Sequence, residues 1–164
     1  MNLLRCPDHP DVGELVSTES GNVCQTCGRI VSVRDGIFDL LPSDSPYDDE
    51  FREREAELWD SQARTYDEGR TKDSVYMACV EAAVEALSPQ PGDLVLDAGW
   101  GTGLTLRNYW QPGVKAVAFD LSMESLRQCR DRGPSKSALF VRGDLTRLPF
   151  ADATFDRVLC PNVL

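Results

Sequence analysis

Leu94-Val95-Leu96-Asp97-Ala98-Gly99-Trp100-Gly101-Thr102-Gly103 decides how this chain is read. Val95 and Leu96 belong to a short apolar run of the kind that forms a strand buried on both faces of a parallel sheet. Three glycines at alternate positions follow, and then the helix-like run Leu104 to Tyr109. A strand, a glycine turn and a helix start form the first crossover of a nucleotide-binding α/β sheet. Asp97 sits inside the motif. A second strand, Ala116 to Phe119, runs into Asp120, where a carboxylate is placed to accept hydrogen bonds from ribose hydroxyls. A third, Ala138 to Val141, leads into Gly143-Asp144, and a fourth, Arg157 to Cys160, follows Phe155-Asp156.

From about Tyr47 onward the chain resembles the start of a class I S-adenosylmethionine (SAM)-dependent methyltransferase. Leu96 to Gly103 resembles that family's first motif, and Phe119-Asp120-Leu121-Ser122 its second. Gly143-Asp144-Leu145 with Leu148-Pro149-Phe150 and Phe155-Asp156 resembles the third and fourth, in the quinone- and small-molecule-methylating branch. Trp100 departs from the pattern, because the family usually carries a small residue or Cys there. The ring would either crowd the methionine moiety or point away.

The resemblance implies an α/β fold, a Rossmann-like methyltransferase half-sheet with parallel strands and helices on both faces. It implies a site as well. Gly99, Gly101 and Gly103 would pass the methionine and ribose portion of SAM, and Asp97 would face the methionine ammonium. Asp120 would hold the ribose hydroxyls, Leu121 would pack on adenine, and Asp144 with the Leu145 N–H would meet the adenine edge. Trp59 to Asp67 looks like the pre-core helix, whose Tyr66 can cover the cofactor. No general base stands out, and the methyl acceptor cannot be read; a small molecule is expected ahead of ribosomal RNA. The family's sheet has seven strands in the order 3-2-1-4-5-7-6. This chain is therefore expected to be the amino-terminal part of such a domain, truncated after the fourth strand, with an exposed strand edge that invites self-association.

Two other classes fit parts of the pattern. Asp120, about twenty residues past the loop, also suits an NAD-binding oxidoreductase, although Leu106 and Arg107 stand where small residues would be expected. A non-catalytic module made of the ribbon and the half-sheet is the other.

Residues 1–42 read as a separate unit. Cys6-Pro7-Asp8-His9 is a C-x₂-H pair, and Cys24-Gln25-Thr26-Cys27 is a C-x₂-C pair. Two such knuckles joined by a short hairpin, Glu14 to Val23, can set four ligands tetrahedrally around Zn²⁺. A unit this short has little core, so metal binding would supply much of its folding free energy. The run Ile30 to Pro42 continues the ribbon. It resembles the zinc-ribbon segment ahead of some methyltransferase domains, including large-subunit rRNA guanine methyltransferases. Residues 43–72 read as a linker and a lid helix, and residues 73–164 as the SAM-binding part. A helix from Asp73 to Leu87 is expected to bury the stripe Val75, Cys79, Ala83 and Leu87.

Composition bounds the rest. The 164 residues carry a net charge of −10, split −4 over 1–46, −4 over 47–72 and −2 over 73–164. That balance argues against non-specific nucleic-acid binding. No apolar run is long enough to span a membrane. Met1 to Pro10 has no signal-peptide core, so a cytoplasmic location is expected, with the six cysteines as thiols or metal ligands.

Overall fold

The computed structural model describes residues 3–44, 49–105, 111–132 and 138–161. Two hairpins come first: β1 (Leu15–Thr18) with β2 (Gly21–Cys24), then β3 (Ile30–Arg34) with β4 (Ile37–Asp39). The second hairpin turns through Asp35 and Gly36, both at positive φ, the geometry of a two-residue turn whose twist matches that of the strands. Helices α1 (Asp49–Arg70) and α2 (Ser74–Leu87) follow. The α/β part then runs β5 (Leu94–Ala98), β6 (Lys115–Asp120), α3 (Met123–Arg132), β7 (Ala138–Arg142) and β8 (Arg157–Leu159). Leu104 and Thr105 begin a helix as expected, and the rest of that expected helix lies outside the described residues.

The strands make one sheet in the order β1-β2-β3-β4-β7-β6-β5-β8. The parallel half, β7-β6-β5-β8, has the 3-2-1-4 order that the four motifs imply. β5 and β6 are almost wholly buried, as apolar central strands should be. β8 is the edge among the described residues, and its Val158 is 55% exposed.

The ribbon does not stand apart as a separate unit would. β4 pairs in parallel with β7, Ile37 opposite Phe140 and Asp39 opposite Arg142. Leu4 bridges Phe150, and the Arg5 N–H donates to the Pro149 carbonyl at 2.8 Å. One apolar cluster therefore runs from Cys6, Leu15, Val31 and Leu40 of the ribbon to Leu96, Val117, Phe119 and Val141 of the parallel strands.

Helix α2 begins where expected: Asp73 caps it, accepting from the Val75 and Tyr76 N–H groups. Its buried face is not the expected one. Val75 is 72% exposed and Cys79 is exposed, whereas Val80 is buried and Tyr76, Met77, Ala83, Val84 and Leu87 are half-buried. The helix is apolar on more than one side, so the stripe that packs beside β8 was decided by tertiary contact and not by period.

Candidate functional site

The glycine loop wraps around the end of β6. Gly99 and Trp100 both donate their N–H to the Phe119 carbonyl, at 2.8 and 3.0 Å. The Gly101 N–H donates to Asp120 Oδ2 at 2.7 Å, and the Ser122 N–H to Asp120 Oδ1 at 2.8 Å. Asp120 thus clamps the loop, a role its place in the sequence did not reveal. A carboxylate has about four lone-pair sites, so each oxygen keeps acceptor capacity.

A cavity of about 360 Å³ opens at the carboxyl ends of the parallel strands, where ligands bind in sheets of this kind. Tyr66, Gly99, Gly101, Asp120, Leu121, Asp144 and Leu145 line it, so seven of the nine expected cofactor residues meet there. Gly103 and Asp97 are not among its lining residues. Gly103 has φ +78°, and a Cβ on it would lie 2.3 Å from Cys129 Sγ, so this glycine is required by packing. Asp97 is 3% exposed, and its Oδ1 has no hydrogen-bond partner among the described residues. Burial, and after it the charge of Asp120, pushes its carboxyl up to about 7. Burial also raises Asp120, against the N–H groups that hold it down. Of the two, Asp120 lines the cavity, and a buried acid so placed is a candidate for a binding role.

Asp144 is buried, and one of its oxygens accepts from both the N–H and the hydroxyl of Thr146. Part of its role is therefore to hold its own loop. Trp100 also lines the cavity, with its indole seated against the neighbouring core: the residue is 5% exposed, its Nε1–H donates to Cys129 Sγ, and it meets Phe140 edge-on at 6.5 Å.

Helix α1 closes the cavity. Phe51, Arg52, Glu55, Trp59, Ala63 and Tyr66 face it, joined by Tyr76 of α2. Trp59 and Tyr66 pack edge-on at 6.3 Å, and the Arg70 guanidinium lies over the rings of Tyr66 and Tyr76. Burial, then the Tyr66 hydroxyl, raises Tyr76, which stays a protonated donor. Two acids latch the helix down: Asp60 accepts from the Ser122 hydroxyl and the Glu124 N–H at the start of α3, and Asp67 accepts from the Thr102 hydroxyl and from Arg132. In sequence these acids look like any solvated helix charge. Trp59, Ala63 and Tyr66 recur at helical spacing, so the apolar side of α1 is readable in the sequence; Tyr76 and the latches are not.

The second cluster lies in the ribbon. The ligand atoms of Cys6, His9, Cys24 and Cys27 all fall within 4.8 Å of one another. Cys6 Sγ is 3.9 Å from Cys27 Sγ and 4.0 Å from His9 Nδ1. Tetrahedral zinc with bonds of about 2.3 Å to sulfur needs edges of roughly 3.8 Å, so the donor set fits. The Thr26 N–H points at Cys24 Sγ at 3.4 Å, and Gly28, at φ +74°, closes the knuckle by donating to the Cys24 carbonyl. Burial pushes the Cys6 thiol up to about 12, so its thiolate is costly without a cation nearby. All six cysteines are thiols.

Residues 96–164 match a family described as a methyltransferase domain. A demethylmenaquinone methyltransferase of Beutenbergia cavernae is 38% identical over 105 residues, covering 63% of this chain and 43% of that protein. Residues 96–164 are thus similar to a methyltransferase domain. A malonyl-[acyl-carrier protein] O-methyltransferase of Erwinia pyrifoliae is 38% identical over 79 residues, covering 48% of this chain and 29% of that one. Among solved structures, a chain from the complex between the Haloferax volcanii Trm112 methyltransferase activator and a methyltransferase superposes with a TM-score of 0.55 at 27% identity. That match covers 62% of this chain and 46% of the other. The matched segments thus span less than half the length of each of these relatives. That likeness agrees with the α/β fold and parallel sheet described above. Among the described residues no helix is long and apolar enough to cross a membrane.

Proposed function

We propose that this chain forms a class I methyltransferase domain, binds SAM in the cavity at the strand ends and methylates a small, largely apolar acceptor held against α1. The observation that carries the reading is the unpartnered, buried oxygen of Asp97, beside Asp120 and Tyr76 at the foot of a glycine loop. A buried acceptor atom with no donor is costly unless a ligand supplies one, and the ammonium of a methionine moiety is such a donor. Asp120 keeps capacity for two ribose hydroxyls while its carboxylate fixes the loop. Leu121, Asp144 and the Leu145 N–H flank the place where adenine would lie. Tyr66 covers it from α1.

SAM brings a sulfonium that already activates its methyl group. The chain's part is to hold acceptor and methyl in line and to keep water out, and positioning of this kind supplies several kcal/mol of a barrier. Phe51, Trp59 and Tyr66 offer flat apolar surface for the acceptor, and Arg52 and Tyr76 offer donors for an oxygen on it. The quinone methyltransferases among the relatives support a ring-bearing acceptor, and the acidity of the chain weighs against RNA. In the ribbon, Cys6, His9, Cys24 and Cys27 would hold one structural Zn²⁺. The six thiols suit a reducing, cytoplasmic setting.

Calorimetry with S-adenosylhomocysteine tests the cofactor reading. Asp120→Ala should weaken binding by about 1.5–3 kcal/mol, the loss of hydrogen bonds to a charged group, which is roughly tenfold to a hundredfold. Tighter binding of NADH than of S-adenosylhomocysteine would overturn it.

A further inference from the structure

The ribbon's ligand cluster and the cofactor cavity grip the same strand end from two sides. Asp39, Arg142 and Asp120 stand in one row across β4, β7 and β6. Arg142 bridges that row. Its Nη1 reaches Asp39 Oδ2 at 3.4 Å, and its Nε–H donates to the carbonyl of Leu121 at 3.0 Å. The backbone runs alongside: the Leu40 N–H donates to the Arg142 carbonyl, and the Gly143 N–H to the Asp120 carbonyl. β4 is held by β3, and β3 by β2, which ends in the ligand Cys24. A second arm starts at the other knuckle. Two residues before Cys6, Leu4 bridges Phe150, whose ring packs edge-on against Phe119 at 5.8 Å. Phe119 immediately precedes Asp120.

We propose that Arg142 is a positioning residue that couples metal occupancy in the ribbon to cofactor affinity in the cavity. This rests on the zinc and SAM readings above. Metal draws the two knuckles together, which fixes β4 and the Leu4 segment. Asp39 then sets the Arg142 guanidinium, and Arg142 fixes the Leu121 carbonyl next to the carboxylate that clamps Gly101. Arg142 is suited to this because its planar fork addresses two acceptors at once, which a lysine cannot do. Coupling of this kind is reciprocal, so bound cofactor must also tighten metal binding by the same factor.

The test uses the full 164-residue chain. S-adenosylhomocysteine affinity is measured by calorimetry on zinc-loaded protein and on protein stripped with a chelator. Zinc affinity is measured by equilibrium competition with a chromophoric chelator, with and without S-adenosylhomocysteine. The expected result is a coupling factor of at least about fivefold in both directions, the low end of ordinary site–site coupling. In Arg142→Ala and in Arg142→Lys the zinc content should stay at one per chain while the coupling factor falls toward one. Asp39→Asn, which leaves the Arg142–Leu121 contact in place, should lower it too and serves if the Arg142 variants fold poorly. A purely structural role would lower affinity equally with and without zinc. An unchanged coupling factor in these variants, or an affinity that ignores zinc in the parent, overturns the proposal. Protein that binds no zinc fails the metal reading, and zinc-loaded protein that ignores S-adenosylhomocysteine fails the cofactor reading; either result takes this proposal with it.

Discussion

The two ends of the sheet hold their shape by different means. In β5 and β6 nearly every residue is buried, and the strands are fixed by apolar contact on both faces. In β1 and β3 one residue each is buried and the rest are exposed. The ribbon has four side chains that could hold a metal, a few apolar residues lent to its neighbour's core, and ion pairs such as Arg29 with Asp8 at 2.7 Å. What this teaches is that a small β unit without its own core can still be ordered if a metal closes one end and a larger sheet accepts the other.

Removing the metal ligands should strike that contrast hardest. In a Cys24→Ser, Cys27→Ser double variant zinc should fall from one per chain to none by metal analysis. The melting temperature should drop sharply, because structural zinc is worth on the order of 10 kcal/mol in small domains. Limited proteolysis should cut the ribbon before the parallel strands. A double variant that keeps full zinc would show that the ribbon holds itself by other means.

The parallel end should break by overpacking instead. A Cβ at Gly143 would lie 2.4 Å from the Phe119 ring, which is buried and cannot retreat. Gly143→Ala should cost about 1–3 kcal/mol in denaturant unfolding, with zinc content unchanged. Equal stability to the parent would mean that the core is looser than its burial suggests.

Protons probe the cavity. A carboxyl raised to about 7 is protonated below that pH, and the ionised form is the one that accepts an ammonium. S-adenosylhomocysteine affinity should therefore fall up to about tenfold per pH unit below 7 and level off above it. Asp97→Asn should flatten that profile. The sign for stability is opposite. The ligand-free fold favours protonated Asp97, so its contribution is greatest below the unfolded value of 3.8 and fades as pH rises toward 7. The smallest effect belongs to Trp100→Phe. It removes the indole N–H bond to Cys129 yet keeps an aromatic ring against Phe140, and should cost about 0.5–1.5 kcal/mol in the same unfolding assay.

Much of the parallel half was legible because its signals are local. A glycine turn after an apolar strand, and an acid at the next strand's end, lie within a few residues of each other. The two cysteine pairs were legible for the same reason. The pairing of β4 with β7 was not, because a strand carries no local mark of its distant neighbour. Nor was the buried face of α2, where two apolar stripes competed. Asp60 and Asp67 were hidden among the charges of α1, and only the start of α3 and the glycine loop, brought beside them by the fold, revealed their use. Trp100 could be framed only as a choice, and the space beside Cys129 decided it.

The contact between Asp39 and Arg142 spans 103 positions of sequence. At a synthesis rate of about 5–20 residues per second, the ribosome needs on the order of 5–20 s to deliver the second after the first. Through that interval β4 has its hairpin mate but not its parallel neighbour, and it presents Ile37 and Phe38 to whatever is near. A ribbon already closed around its ion would wait as a compact nascent knuckle, while an unclosed one would trail as a sticky strand. If the ribbon takes up a metal, the order in which this polypeptide acquires it and its later strands bears on how much of it escapes chaperones and proteases.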